Sequence, residues 1–169
     1  HPDLWFEVGR NLVRMERLPE AAKVLETALE HLDKVVFEGQ VHLVHRRWQA
    51  HEILGNIYWE LQSYPQCYEH FLKALSGKPE GEDGWPKMLN SLCGLAIEFK
   101  DDERLPGLLE RLLGHPNAPL GMFFFEVQRK AKVEGRASAA AFLTQALAQY
   151  ERIADDPEFG EIKKLLEDP

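Results

Sequence analysis

Apolar side chains recur every three or four residues along almost the whole chain, as in the run Leu105, Leu108, Leu109 and Leu112. This spacing places them on one face of an α-helix. No segment shows the alternation of apolar and polar residues that is typical of a half-buried strand. Prolines and glycines interrupt the pattern at short intervals. The sequence therefore predicts nine helices, near residues 3–16, 19–37, 40–62, 65–76, 86–100, 102–113, 119–134, 137–154 and 157–167.

Two of the predicted helix pairs carry related residues in the same register. Residues 5–12 read Trp-x-x-Val-Gly-x-x-Leu, and residues 21–28, which begin twelve positions after the glycine, read Ala-x-x-x-Leu-x-x-Ala. Residues 51–58 read His-x-x-Leu-Gly-x-x-Tyr, and residues 67–74, at the same distance, read Cys-x-x-x-Phe-x-x-Ala. Small residues in such a pattern let two antiparallel helices approach closely, while large ones fill the space around them. We expect the large residues to be Trp5, Tyr58 and Phe71.

Two further copies are weaker. Residues 93–97 read Cys-Gly-x-x-Ile and are followed, one residue early, by Leu-x-x-x-Leu-x-x-Leu at 105–112. The fourth copy keeps only its second half, Ala-x-x-x-Leu-x-x-Ala at 139–146. The pattern resembles the tetratricopeptide repeat, whose two helices carry Trp-x2-Leu-Gly-x2-Tyr and Ala-x3-Phe.

The resemblance implies an all-α superhelix of about four helical hairpins. The motif glycines Gly9, Gly55 and Gly94 are farther apart than in the family, so the array is expected to be irregular. A last helix, with Phe159, Ile162, Leu165 and Leu166 facing inward, is expected to cap it. The prediction is a single domain over residues 1–169, with repeats at about 2–35, 48–80, 87–116 and 119–154 and a cap at 157–167.

Composition narrows the choice of partners. The 169 residues are 44% hydrophobic, which is enough for a core without disulfides or metals. The net charge of −8 argues against nucleic acid and anionic membranes as partners, because both require a basic surface. No apolar stretch is long enough to cross a bilayer. Cys67 and Cys93 are too few for a disulfide framework and predict free thiols in the cytoplasm.

Patterns that would indicate catalysis or metal binding are weak. His42 and His45 could share a metal, but the next histidine, His51, lies six residues on at a packing position of the repeat. No phosphate-binding loop, nucleophile elbow or zinc-protease motif is present. The acidic pairs at 101–102 and 155–156 precede predicted helices and are expected to cap them. We therefore predict no enzyme activity, no cofactor, no metal site and buried, inert cysteines.

The resemblance also implies a protein or peptide partner, because the first helices of successive tetratricopeptide hairpins line a concave, peptide-binding face. Asn56 can hydrogen-bond a peptide backbone, and Trp59, one turn on, can be an apolar anchor. The alternative is that Asn56 is merely solvated and Trp59 packs on the long loop at 76–86. By register, the groove residues are Phe6, Arg10, Val13, Arg14, Gln49, Glu52, Asn56, Trp59, Leu95, Phe99, Phe124 and Gln128.

The main prediction is thus a protein-interaction module. Arg10 and Arg14 place positive charge on the binding face of an acidic protein, which favours a ligand with acidic residues. The chain begins at His1 without an initiator methionine, so it is expected to be part of a longer protein. The alternative is therefore the regulatory or substrate-docking domain of a larger bacterial enzyme, such as a signalling enzyme or a glycosyltransferase. A metal-dependent helical enzyme built on the histidines is a third hypothesis.

Overall fold

A computed structural model describes residues 2–37 and 44–167, and this part of the chain contains helices and turns but no strand. The predicted helix at 137–154 is shorter in the structure, because Tyr150 leaves the helical conformation (φ −132°, ψ 92°). A short 3-10 turn, Glu151–Ile153, follows. Residues 40–43 of the third predicted helix lie outside the described residues. The helices are α1 Pro2–Arg14, α2 Leu18–Phe37, α3 Val44–Glu60, α4 Tyr64–Gly77, α5 Trp85–Glu98, α6 Leu105–Gly114, α7 Gly121–Val133, α8 Arg136–Gln149 and α9 Pro157–Glu167.

The chain divides into two compact units, His1–Trp85 and Pro86–Pro169. In the first unit α1 packs on α2, α2 on α3, and α3 on α4. In the second unit α7 packs on α8, and α9 contacts both of them. The single domain expected from the sequence stays a prediction.

The same pair of backbone hydrogen bonds closes the turn between the first and second helices of all four hairpins. In each turn a backbone N–H donates to the carbonyl five residues back, and its own carbonyl accepts from the N–H four residues ahead. In the first three turns the preceding residue is left-handed, although it is Glu16, Gln62 or Lys100 and not glycine (φ 59°, 58° and 53°). The residues that donate and accept are Arg17, Ser63, Asp101 and Gly135, with N···O distances to the carbonyl five residues back of 3.0, 2.8, 2.8 and 3.1 Å.

The second helix of every hairpin buries its three motif positions. All twelve residues have an exposed fraction of 7% or less, so the pattern in the weaker third and fourth copies places residues in the core just as it does in the first two. These residues are Ala21, Leu25 and Ala28; Cys67, Phe71 and Ala74; Leu105, Leu109 and Leu112; and Ala139, Leu143 and Ala146.

Glycine sets the separation of the helices in the first two hairpins. A Cβ atom placed on Gly55 would lie 2.4 Å from Cδ1 of Phe71, and one on Gly9 would lie 2.6 Å from Cδ2 of Leu25. Each glycine therefore meets the residue sixteen positions later, which confirms the common register of these two copies. Gly94 does not repeat this contact: among the described residues, a Cβ placed there would meet Met122 of α7, 3.3 Å away at Sδ.

Three large residues differ from expectation. Trp5, expected in the core, is 40% exposed, and Phe6 is buried instead, in a cluster with residues of α2 and α3. Adjacent helical residues lie about 100° apart, so burying Phe6 turns Trp5 outward. On α9, Ile162 is buried as expected but Leu165 is 52% exposed. Tyr58 is half-buried and Phe71 is buried, as predicted.

We expect Gly55→Ala to lower the free energy of unfolding by about 1–3 kcal/mol, because the new methyl group must displace the Phe71 ring. Gly107→Ala is the matched control: a Cβ there meets nothing within 4 Å, so it should be neutral or stabilise by up to about 1 kcal/mol. Urea unfolding measures both changes. A Phe71→Leu background should reduce the cost at Gly55, and equal effects at the two glycines would contradict this packing.

Candidate functional site

The predicted groove residues of the first unit form stripes on α1 and α3. On α3, Gln49 and Glu52 are half-buried and Asn56 and Trp59 are exposed. Their spacing of three and four residues places all four on one face of the helix. On α1, Arg10 and Val13 are half-buried and Arg14 is exposed. We call these seven residues the groove stripe.

Phe6 does not belong to the groove stripe, so its predicted role in binding was wrong. Only 2% of the residue is exposed, because it fills the core beside Leu54 and Ile57 of α3. The guanidinium of Arg10 lies 5.9 Å from the centre of the Phe6 ring and 3.5 Å from the Glu7 carboxylate. Arg10 therefore covers a core residue and forms an ion pair with Glu7 at the surface.

Asn56 and Trp59 are the exposed residues on the α3 part of the groove stripe. Trp59 is 42% exposed, and its ring meets the edge of Tyr64, with centroids 5.5 Å apart and an interplanar angle of 76°. Tyr64 is itself 39% exposed and begins α4. Such an edge-to-face pair limits the rotation of the indole while leaving part of it in solvent.

Glu52 has a structural partner in the loop that follows α4. Lys78 is buried, and its Nζ lies 2.5 Å from Oε1 of Glu52 and 2.5 Å from the carbonyl oxygen of Asp83. Nζ also lies 5.1 Å from the centre of the Trp48 ring. Glu52, which is predicted to meet a ligand, therefore also anchors residues 78–83 to α3.

Lys78→Met should destabilise the first unit by about 2 kcal/mol, less than the roughly 3–5 kcal/mol of a fully buried pair, since Glu52 keeps some contact with water. Urea unfolding measures the loss, and proteolysis within residues 79–84 should accelerate. Lys73→Met is the control, because Lys73 forms an exposed ion pair with Glu69 that is worth under about 1 kcal/mol. Adding Glu52→Gln to Lys78→Met should restore part of the stability; equal losses at the two lysines would contradict the buried anchor.

Beside the groove stripe, two histidines form a hydrogen bond between α3 and α4. Nδ1 of His51 lies 2.9 Å from Nδ1 of His70, so at least one of the two nitrogens must be unprotonated. The Tyr58 ring stacks on His70, and its hydroxyl donates to Oε1 of Glu26 on α2 at 2.5 Å. Burial and the neighbouring His70 lower the pKa of His51 to about 4, and burial also lowers the pKa of His70.

This pair predicts a loss of stability in mild acid. The unfolded chain binds a proton at His51 with a pKa near 6.5, whereas the folded chain does so near 4. The free energy of unfolding should therefore fall as the pH drops from about 6.5 to 4, by up to about 3 kcal/mol from this residue. Urea titrations at several pH values in this range give the free energy of unfolding as a function of pH. This free energy should fall less steeply with decreasing pH in His51→Gln than in the wild type. His31→Gln, at an exposed residue, should keep the pH dependence of the wild type. An unchanged pH dependence in His51→Gln would contradict the assignment of the acid sensitivity to His51.

In the second unit, two of the four predicted groove residues are buried. Leu95 is 5% exposed and Phe124 is 1% exposed, so neither can meet a ligand and both predictions were wrong. Phe124 contacts Phe123, and the following residue, Phe125, is the one that is 49% exposed. Phe99 is 40% exposed just after α5, and Gln128 is half-buried on α7.

The second unit also contains clefts that the sequence did not indicate. One, of about 260 Å³, lies between α6 and α8, and another, of about 380 Å³, extends to α7. Pro106, Leu109 and Phe142 line both. At the rim of the larger cleft the buried carboxylate of Glu126 accepts two hydrogen bonds from Arg129, at 2.6 and 2.8 Å.

The cysteines and acidic pairs considered as catalytic candidates are buried in the core or lie at the beginnings of helices. Cys67 and Cys93 are buried free thiols, and burial raises the pKa of each to about 12, which makes the thiolate inaccessible at neutral pH. Asp101 accepts from the backbone N–H of Arg104, and Asp156 from that of Glu158, as expected for residues that precede helices. His42 lies outside the described residues, among which no group of three potential metal ligands occurs.

The fold is that of an all-α helical-repeat protein of the tetratricopeptide type. A solved structure of PilF from Pseudomonas aeruginosa is similar to this chain, with a TM-score of 0.54 and 17% sequence identity. The match covers 96% of this chain and 66% of the PilF chain. PilF is a lipoprotein that contains tetratricopeptide repeats. This chain thus spans just under two thirds of the length of the PilF chain.

The other comparisons contribute no relative. No family model and no curated protein matches the chain. Within the described residues, no helix has the length and apolar character that a transmembrane span requires.

Proposed function

We propose that the chain is a protein-interaction module and that the groove stripe binds an extended or helical peptide segment. The observation that carries this proposal is the exposure of Asn56 and Trp59 on one face of α3. A side-chain amide can donate to a backbone carbonyl and accept from a backbone N–H, whatever the peptide sequence. A half-exposed indole one turn away supplies the apolar contact from which binding affinity commonly arises.

The scaffold beneath these two residues supports the proposal. Leu54 and Ile57, on the opposite side of α3, are 0% and 2% exposed. The ring of Tyr64, on α4, limits the rotation of the Trp59 indole. A ligand would therefore meet side chains whose helix is already packed, so that little ordering is needed on binding.

Charge favours a ligand with acidic residues. Arg14 is exposed and Arg10 is half-buried on the α1 part of the groove stripe, whereas the whole chain has a net charge of −8. A positive patch on an acidic protein attracts an acidic segment that the remaining surface repels. Added salt should therefore slow association.

We also propose that the chain has no catalytic role of its own and that it acts in the cytoplasm. Two buried, unpaired thiols support a reducing compartment.

The experiment is a peptide-array screen with acidic and hydrophobic sequences, followed by titration of the best binder. Asn56→Ala should weaken binding by about 1–3 kcal/mol, because a partner backbone group loses its hydrogen bond. Trp59→Ala should cost about 2 kcal/mol or more through loss of the apolar contact. Thermal melting should change little, because both residues are exposed.

The control variant is Leu165→Ala, at an exposed apolar residue of α9 in the other unit. At low and at high salt, its affinity for the peptide should equal that of the wild type at the same salt concentration. Equal affinities for the wild type, Asn56→Ala and Trp59→Ala would contradict binding at the groove stripe.

A further inference from the structure

One of the clefts in the second unit runs between α6 and α8, the second helices of the third and fourth hairpins. Its volume is about 260 Å³, and it adjoins the larger cleft, because Pro106, Leu109 and Phe142 line both. We call it the α6–α8 cleft. The residues of the groove stripe belong to first helices, so the α6–α8 cleft is a different surface.

Two pairs of rings show which part of the first unit corresponds to this cleft. The turns and the buried motif positions align the fourth hairpin with the second, which places Phe123 at the position of His51 and Phe142 at that of His70. The centroids of the two phenylalanine rings are 5.4 Å apart, with an interplanar angle of 37°. The two histidine rings have nearly the same arrangement, with centroids 5.1 Å apart and an angle of 40°. The two hairpins therefore hold equivalent rings in equivalent places, with different chemistry.

The polar groups beside these rings differ in one contact. In the first unit, the Tyr58 hydroxyl donates to Glu26, which lies on the second helix of the preceding hairpin. In the same register, Lys130 has the position of Tyr58, and Glu110 of α6 has the position of Glu26. Nζ of Lys130, however, donates to Glu134 at 3.0 Å. Within the described part of the chain, Glu110 is therefore an exposed carboxylate that lines the cleft without the donor that Glu26 has.

The lining of the α6–α8 cleft combines an apolar floor with amides. Leu109, which is 4% exposed, lies at its base. Gln145 and Gln149 line it from α8, both exposed and on one face of the helix because they are four residues apart. Burial and the charge of Glu110 raise the pKa of Tyr150, which lines the same cleft. The charge of Glu110 is thus felt inside the cleft, where it favours a cation.

We propose that the α6–α8 cleft binds an extended segment of a partner protein, with an arginine or lysine against Glu110 and an apolar side chain over Leu109. The partner's cation supplies the donor that the chain itself supplies to Glu26 in the first unit. The amides of Gln145 and Gln149 hydrogen-bond the backbone of the segment, which requires N–H and C=O groups that a helix would already have paired. The ligand of this site is basic, whereas the groove stripe favours an acidic one, so the two surfaces select different segments.

The probe is a set of fluorescently labelled polyalanine peptides that carry one arginine and one leucine at varied spacing, titrated with the whole chain and followed by fluorescence anisotropy. We expect saturable binding of at least one peptide, which Glu110→Gln weakens about three- to tenfold through loss of a partly exposed ion pair. Glu110→Arg should reverse the selectivity and favour the same peptides with glutamate in place of arginine. Glu161→Gln, at an exposed carboxylate of α9 outside the cleft, is the matched control and should bind as the wild type does. Because Glu110 is exposed, its variants should fold, and a thermal melt verifies this.

Three results would overturn the proposal. The first is that none of the arginine peptides binds, and the second is that the wild type and Glu110→Gln bind them equally. The third is that replacing the leucine of the peptide by serine leaves the affinity unchanged, because the apolar floor would then have no part in recognition. Asn56→Ala should bind the arginine peptides as the wild type does, so a failure of this site is distinguishable from a failure of the groove stripe.

Discussion

The close approach of α3 to α4 at Gly55 is the contact on which most of the first unit depends. With no Cβ at this position, the Phe71 ring lies directly against the backbone of α3. The same separation brings Nδ1 of His51 to 2.9 Å from Nδ1 of His70. At the far end of the pair, a Cβ on Gly77 would be 3.2 Å from Cβ of Trp48, so the two helices remain close along their length. One small residue thereby determines both an apolar contact and the polar contact beside it.

Each unit uses one long cationic side chain to hold the backbone that follows a second helix. In the first unit Lys78 donates to the carbonyl of Asp83 and pairs with Glu52. In the second unit Arg152 donates to the carbonyls of Leu112, Pro116 and Ala118, at 3.3, 2.9 and 2.9 Å. Leu112 lies in the last turn of α6, where carbonyl groups lack partners in the helix and the helix dipole favours positive charge. Asp83 lies instead in the loop between α4 and α5, so Lys78 fixes a loop and Arg152 fixes both a helix end and the residues after it.

Helix positions and the cores of the second helices could be predicted from the sequence, since small and aliphatic residues repeat there with a helical period. The exposure of Trp5 could not be predicted from the sequence, because Trp5 and Phe6 are adjacent aromatic residues and either could face the core. The left-handed turn residues could not be predicted either, since a glycine usually occupies this conformation and the chain has Gln62 and Lys100 there. Lys78 and Glu52 are 26 residues apart in sequence, so no local pattern relates them.

The two exposed surfaces of the first unit differ in the force that each can supply. The groove stripe combines one amide, one half-exposed indole and guanidinium groups, so its interactions are largely directional and sensitive to salt. The side chains of Leu4, Trp5, Val8 and Met15 on and just after α1 are apolar, so any contact they make would gain free energy by removing apolar area from water at any ionic strength. At α7 and α8, by contrast, α9 already provides such a cover through Ile162. Each hairpin of a helical repeat buries one face against its neighbour, so the stability of the array depends on contacts between successive helices as much as on contacts within a hairpin.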